Sequence, residues 1–410
     1  MMAREISLFG YGKTTRAISK RLGPCTFYDD RIAVPHSDDA GNRLLPPLLF
    51  EPDRSELQIP SPGFPPDHPL IRQSHNLISE YDLFLSDAGA ELLRQPRPYT
   101  VWVSGTNGKT TTTRMITHLL ADRGAVSGGN IGTPLAELDA HAPIWVLETS
   151  SFTLHYTRHA KPDLYLLLPV TPDHLGWHGG EAAYLADKLK PLARMREGEA
   201  ILLPADYADT PTHGFVIPYS DRDTLARYFG IDMQKVRFDG VFLLDALLAL
   251  GVAKILFDEI DYEKINAFRP DPHRQERLTD RFGRLWIDDS KATNVDATLQ
   301  ALAPYRERTI HLILGGDDKG VDLDPLFSGM EGYDVTIYAI GSNAGRLDAM
   351  ASRYARTCHL CGTLEEAVAA IDSRHDSRSV ALLSPAAASL DQFASYAERG
   401  ARFKEIISKL

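Results

Sequence analysis

Short runs rich in Val, Ile and Leu alternate with helical segments along almost the whole chain. That alternation predicts an α/β fold whose sheets are mainly parallel, each strand followed by a helix that returns the chain to the same edge. Open parallel sheets bind ligands beyond the carboxyl ends of their strands. The residues that follow each apolar run are therefore the candidates for function. After "TVWV" come Gly105 to Thr111, after "IWVL" comes Glu148, and after "LYLLLPV" come Asp173 and His174. After "LWI" come Asp288, Asp289 and Lys291; after "IHLIL" come Gly315, Gly316, Asp317 and Lys319; after "VALL" come Ser384 and Ser389. These exits deliver groups suited to phosphate or metal.

A chain of 410 residues exceeds one ordinary core, so two or three domains are expected. Proline-rich joints at "RQPRPY" and "FRPDPHR" divide it into blocks at 1–97, 98–270 and 271–410. The proline-dense stretch from Leu44 to Pro69 reads as loops around Ser61-Pro62-Gly63. The longest apolar run, Val241 to Phe257, contains Asp245 and Lys254. It falls short of the roughly 20 residues of a membrane span and reads as a buried helix running into a strand. No membrane insertion is expected, and an N-terminus that enters a strand directly predicts a cytoplasmic protein. The net charge of −11 argues against nucleic acid as a partner, because phosphate backbones are bound by dense basic surfaces. Cys25, Cys358 and Cys361 are too few for a disulfide framework, and the single C-x-x-C reads as packing.

The loop Gly105-Thr106-Asn107-Gly108-Lys109-Thr110 is shorter than the general phosphate loop, since Val103 stands where its first glycine would be. Its parts still suit a nucleoside triphosphate. Two glycines let N–H groups approach an anion, a helix begins at its positive end, Lys109 adds charge and Thr110 offers a hydroxyl to Mg2+. Glu148 and His174, each ordinary alone, become candidate ligands of Mg2+ or Mn2+ beside such a loop. In "EAAYLADKLKPLARM" Tyr184 and Lys188 lie one turn apart, and Lys188 on residue chemistry alone reads as a solvated lysine. "DDSKATN" and "GGDDKG" suggest a third domain closing over the nucleotide. Gly10-x-Gly12 after the first strand, with Asp29 further on, is a partial dinucleotide fingerprint that permits a diphosphate at the helix N-terminus.

In order, "SGTNGKTTTT", "GGNIG", "LETSSF", "TPDHL", "PHR", "WIDDSKATN", "LGGDDKG" and "LSPAAASLDQF" resemble the Mur ligases. "DSKATN" and "SPAAASLDQF" resemble the members that add D-glutamate. The resemblance implies a Rossmann-like N-terminal domain for UDP, a central P-loop ATPase domain and a Rossmann-like C-terminal domain for the amino acid. It implies ATP-dependent joining of D-glutamate to UDP-N-acetylmuramoyl-L-alanine through an acyl phosphate, in peptidoglycan precursor synthesis, by a monomer. Lys109 would contact the terminal phosphates, and Gly105, Thr106, Asn107, Gly108, Thr110, Thr111, Arg274 and Asp289 would serve ATP. Thr110 and Glu148 would hold one Mg2+, His174 and Lys188 a second, with Lys188 as a carbamate formed from CO2. The UDP substrate would meet Gly12, Lys13, Thr14, Asp29, Asp30, Ser61, Asn130 and Ser150. D-Glutamate would meet Thr293, Lys319, Ser389, Leu390 and Tyr396, with Asp317 and Lys319 serving the closed state.

The sequence departs from the family pattern at Phe242, where an Asn for adenine is expected, and at Thr153, where Gln is common. A shortened segment leaves Trp177 and His178 without clear equivalents. Another amino-acid ligase of the Mur or folylpolyglutamate type is opposed by "DSKATN" and the short first block. A non-catalytic nucleotide-binding relative is opposed by Glu148, His174, Lys188, Lys319 and Ser389 together, and a nicotinamide dehydrogenase leaves the threonine-rich loop unexplained.

Overall fold

The computed structural model describes residues 5–318 and 320–410, and Lys319 lies outside the described residues. The described residues form three sheets. The first has the order β3-β4-β2-β1-β5, built from β1 (Ile6–Phe9), β2 (Thr26–Tyr28), β3 (His36–Ser37), β4 (Arg43–Leu45) and β5 (Leu57–Pro60). Strand β5 falls inside the proline-dense stretch expected to be loops: Leu57 to Pro60 pair in parallel with Ile6 to Phe9. Ile59 is fully buried, and Pro60 is tolerated because β5 is the edge strand of its sheet, where a missing N–H need not break a ladder.

The second sheet runs β11-β10-β9-β6-β8-β7, from β6 (Tyr99–Ser104), β7 (Ala125–Gly129), β8 (Ile144–Glu148), β9 (Leu164–Leu167), β10 (Ala200–Pro204) and β11 (Phe215–Tyr219). Its pairings are all parallel. Val101, Trp102 and Val103 at its centre are fully buried, as expected of a strand covered on both faces. The third sheet runs β12-β13-β17-β14-β15-β16, from β12 (Glu276–Thr279), β13 (Leu285–Asp288), β14 (Ile310–Gly315), β15 (Val335–Ile340), β16 (Cys358–Gly362) and β17 (Val380–Leu383). Only its edge strand β12 is antiparallel to its neighbour.

The chain forms two compact units. One comprises Met1–Arg237 and Leu243–Phe268, the other Phe238–Phe242 and Arg269–Leu410. The first two sheets share a unit because one apolar cluster joins Leu8, Ile18 and Phe27 to Trp102, Trp145 and Tyr165. The short helix Glu80–Leu85 is buried throughout, and its Tyr81 ring meets Trp102 edge-on with centroids 4.7 Å apart.

The apolar run from Val241 is one helix, Gly240–Phe257, followed by the helix Tyr262–Ala267 rather than by the expected strand. No proline interrupts its 18 residues, and its one interior glycine, Gly251, lies where a Cβ would come within 2.7 Å of the Phe229 ring. By length and composition this helix could cross a membrane, and half of it is buried inside the protein. Asp245 to Ala253 are buried continuously, and Asp245 accepts a hydrogen bond from Thr112 at 3.0 Å. A core helix that is apolar all round has this character.

Candidate active site

The loop after β6 needs its two glycines. Gly105 has φ +132°, and a Cβ there would lie 2.5 Å from the Leu168 Cβ; at Gly108, φ +81°, it would lie 2.6 Å from Asp245 Oδ1. Thr106 fixes the turn, its hydroxyl donating to the Thr171 carbonyl at 2.9 Å and accepting the Thr171 N–H at 3.0 Å. The helix Lys109–Leu119 starts at once, so its free N–H groups open at the loop. Lys109 Nζ folds back onto the Thr106 carbonyl at 2.6 Å. Thr111, Thr112 and Thr113 are buried, which leaves Thr110 as the partly exposed hydroxyl of the run.

Strand order puts the ends of β9, β6 and β8 side by side. Glu148 ends β8 almost fully buried. One carboxylate oxygen accepts from Thr110 Oγ1 at 2.8 Å and the other from Asn130 Nδ2 at 2.7 Å, while the Asn130 N–H donates to the Glu148 carbonyl at 2.8 Å. A hydroxyl and a carboxylate converging beside a phosphate-type loop form an oxygen donor set that fits Mg2+. His174 lies in the left-handed region at φ +52°, pairs with Asp173 at 3.5 Å and packs against the Phe152 ring.

Lys188 is not solvated. It is 1% exposed, its Nζ donates to the Gly105 carbonyl at 2.7 Å and lies 4.6 Å from the Tyr184 ring centroid. The helix Glu181–Leu189 turns this face inward, with Tyr184 buried as well. Burial above all, and then the charge of Lys109, hold its amine well below the ordinary lysine range, against the opposing pull of Asp173 and Asp187. A buried amine kept from charging is the species that can take up CO2.

Next to it, Asp187 Oδ2 accepts from His155 Nδ1 at 2.9 Å and from His178 Nδ1 at 2.8 Å, and His178 Nε2 meets Ser151 Oγ at 3.0 Å. Both imidazoles direct their Nδ1–H into the same oxygen, so one carboxylate joins the two rings. His178, unassigned from sequence, thereby ties three helices together. Trp177 Nε1 reaches the Gly63 carbonyl at 3.4 Å.

A cavity of about 160 Å³ is lined by Lys13, Thr14, Glu80, Asn130, Gly132 and Thr153, among others. It brings together three predicted substrate residues, Lys13, Thr14 and Asn130, and Lys13 Nζ donates to the Gly132 carbonyl. Glu80 is buried, accepts the Ala136 N–H at 3.5 Å, and burial pushes its carboxyl up to about 8. Ser150 caps the helix Ser151–Tyr156, accepting the Thr153 N–H at 3.1 Å. Its hydroxyl also meets the Thr153 hydroxyl at 2.9 Å.

Gly12 caps the helix Lys13–Leu22. Asp29 accepts the Tyr11 N–H at 2.7 Å and grips Arg31 through both oxygens at 2.9 and 2.7 Å. The guanidinium holds this carboxyl well below the usual carboxylate range. Asp30 pairs with His68 at 3.3 Å, and the Ser61 N–H donates to the Phe9 carbonyl at 2.9 Å.

In the second unit the neighbours β13, β17 and β14 bring their exits together. Asp289 is buried, accepting from Ser384 Oγ at 2.9 Å and from the Gln275 N–H at 3.1 Å. Burial raises its carboxyl to about 7. Arg274 is half-buried just before Gln275. Asp317 and Ala388 exchange backbone hydrogen bonds at 2.9 Å. Ser389 is buried and Thr293 exposed. Leu390 is 67% exposed, and the Tyr396 ring carries Lys291 Nζ at 4.0 Å.

The Mur ligase middle-domain family matches residues 103–213. A UDP-N-acetylmuramoylalanine--D-glutamate ligase of Campylobacter jejuni is 51% identical over 99% of this chain and 100% of its own length. The chain belongs to the Mur ligase family. A Helicobacter pylori ligase of the same name is 44% identical over 99% of this chain and 100% of its own. Among solved structures, the Thermotoga maritima MurF ligase in complex with ADP matches with TM-score 0.58 and 15% identity, covering 100% of this chain and 95% of that one. The MurC ligase of the same organism matches with TM-score 0.56 and 15% identity, covering 98% and 99%. These two matches establish the Mur ligase fold of three α/β domains.

Set against this Mur ligase fold, four residues have structural parts that the motifs did not reveal. Asp245 backs the loop, Glu80 lines the cavity, Asp187 gathers two histidines, and Arg399 is buried beneath the loops of the third sheet. Arg399 had a signal: at four-residue spacing with the buried Phe403 and Ile407, it sits on the apolar stripe of the helix Tyr396–Ile407.

Proposed function

We propose that this protein joins D-glutamate to UDP-N-acetylmuramoyl-L-alanine at the expense of ATP, giving ADP and phosphate, in peptidoglycan precursor synthesis. The observation that carries the proposal is the meeting of Thr110, Glu148 and Asn130 beside the loop after β6. It gives one site a metal-type donor pair and a group for the substrate whose carboxylate is to be activated. The whole-chain identity to curated D-glutamate ligases supports the choice of amino acid.

In this reading residues 1–97 bind UDP, residues 98–270 bind ATP, and residues 271–410 bind the amino acid. The loop N–H groups from Gly105 to Thr111 cradle the phosphates. Lys109 leaves the Thr106 carbonyl to meet the terminal phosphates, and Arg274 and Asp289 serve the nucleotide. Thr110 and Glu148 would hold one Mg2+, and His174 with carbamylated Lys188 a second, with Mn2+ as a substitute. Bound metal supplies charge neutralisation where the anionic carboxylate and phosphates approach.

Lys188 becomes a carbamate when its neutral amine forms an N–C bond to CO2 and releases one proton. Lys13, Thr14 and Asn130 hold the UDP substrate through its diphosphate and muramoyl parts, with Gly12, Asp29, Asp30, Ser61 and Ser150 around them. A substrate carboxylate oxygen attacks the γ-phosphorus and the bond to the β-phosphate oxygen breaks, releasing ADP. The amine of D-glutamate, held by Thr293, Lys319, Ser389, Leu390 and Tyr396, then attacks the acyl carbon. Phosphate leaves, and the nitrogen gives up a proton.

The protein acts as a cytoplasmic monomer without membrane insertion or nucleic acid. The buried stretch from Asp245 to Ala253 supports a core role for the apolar helix. The test is phosphate release with Mg-ATP and UDP-N-acetylmuramoyl-L-alanine, comparing D-glutamate with L-glutamate, L-alanine and a diamino acid. Release dependent on D-glutamate is expected, and dependence on another amino acid would overturn the assignment.

A further inference from the structure

Among the described residues, a guanidinium without a carboxylate in hydrogen-bond contact lies beneath the third sheet's strand exits. Arg399 is 1% exposed in the first turn of the helix Tyr396–Ile407. Its Nε donates to Ser290 Oγ at 2.9 Å, and its Nη2 donates to the Ser290 carbonyl at 2.9 Å and to the Ala387 carbonyl at 3.1 Å. Its Nη1 faces the Gly315 carbonyl at 3.5 Å. Ser290 closes the circuit by donating to the Tyr396 carbonyl at 2.8 Å. One side chain therefore holds the loop after β13, the end of β14 and the loop after β17.

The arrangement is costly. A buried cation at the positive end of a helix loses solvation and meets an unfavourable dipole. Burial pulls the group down to about 10, with Asp391 and Asp288 acting against that fall. An apolar side chain would fill the stripe shared with Phe403 and Ile407 at less cost. What the guanidinium adds is geometry, because its planar fork fixes several carbonyls relative to one another. Those carbonyls belong to segments that carry the amino-acid groups: Ser290 lies three residues before Thr293, and Ala387 lies two residues before Ser389. The Gly315 segment continues to Asp317, which pairs with Ala388.

We propose that Arg399 is the positioning residue for the D-glutamate site, setting Thr293 and Ser389 at one spacing by clamping their loops from below. The inference rests on the D-glutamate reading given above. The test is steady-state kinetics of Arg399→Met, Arg399→Lys and Ser290→Ala, with the KM values for D-glutamate and for the UDP substrate measured separately below each variant's melting temperature. The UDP substrate's proposed contacts are all in the first unit. Arg399→Met should raise the D-glutamate KM about tenfold or more, with the UDP-substrate KM unchanged. Arg399→Lys should recover part of that loss. Ser290→Ala, which keeps the guanidinium and removes the hydroxyl that accepts from it and donates to the Tyr396 carbonyl, should raise the same KM about threefold.

An unchanged D-glutamate KM in folded variants, or two KM values rising together with a fall in melting temperature, would overturn the proposal and leave a purely structural arginine. If Arg399→Met does not fold, Ser290→Ala decides by the same criterion. A wild-type enzyme whose phosphate release ignores D-glutamate would defeat the underlying reading instead.

Discussion

Thr110 and Glu148, 38 residues apart in the chain, are joined by a hydrogen bond of 2.8 Å because the strands before them are neighbours in the second sheet. Glu148→Gln keeps the shape and removes the charge a divalent cation needs. It should lower kcat/KM on the order of 10²- to 10³-fold and raise the Mg2+ concentration that gives half activity. Activity at saturating Mg2+ equal to wild type would contradict the assigned role.

Gly108→Ala tests the loop. The new Cβ would be 2.6 Å from Asp245 Oδ1 in a left-handed conformation. The strain should cost about 1–3 kcal/mol and spoil the loop's approach to phosphate. Melting temperature and the KM for ATP read the two effects, and both should worsen.

Lys188→Met separates function from stability. Activity should fall by at least about 10²-fold, and CO2 removal should inhibit the wild type but not change the variant's residual rate. Stability should move the other way. Burial lowers the folded-state value of Lys188, so the unfolded chain binds the extra proton between that lowered value and the ordinary value of about 10.4. Wild-type stability from this group therefore rises with pH across that window. In CO2-free buffer the variant should resist urea better than wild type at neutral pH, with the gap closing as pH approaches 10.

His375 should weaken the protein in acid. Its Nδ1 meets Ser379 Oγ at 2.7 Å and its Nε2 the Leu285 carbonyl at 3.0 Å. Burial pulls the imidazole down to about 4. Below an unfolded value of about 6.5 the unfolded chain takes the proton first. Stability present above that pH is lost as pH falls toward 4, by on the order of 3 kcal/mol. Urea unfolding at pH 7.5 and pH 5 should show the loss, and His375→Gln should flatten it.

Much of the architecture was legible from the apolar runs. Gly105, Asp289, Asp317 and Ser384 follow the strands β6, β13, β14 and β17, and Glu148 is the last residue of β8, since a run buried on both faces is apolar along its length and its polar residues wait until its end. Local pattern failed where composition misled. Leu57 to Pro60 became a strand because a partner was available, and the run from Val241 stayed helical because no proline interrupted it.

By itself the sequence determined the order of strands and helices, the glycines of the loop and the family resemblance, because these depend on spacing along the chain. Only the tertiary structure decided the states of single side chains. Lys188 looks like a surface lysine until the helix Glu181–Leu189 turns it against Gly105, and the spacing of Arg399 with Phe403 and Ile407 puts it on a buried stripe without saying which carbonyls it holds. Burial and charge proximity are properties of three-dimensional neighbours, and Gly105 and Lys109 beside Lys188, like Ser290 and Gly315 beside Arg399, lie far away along the chain.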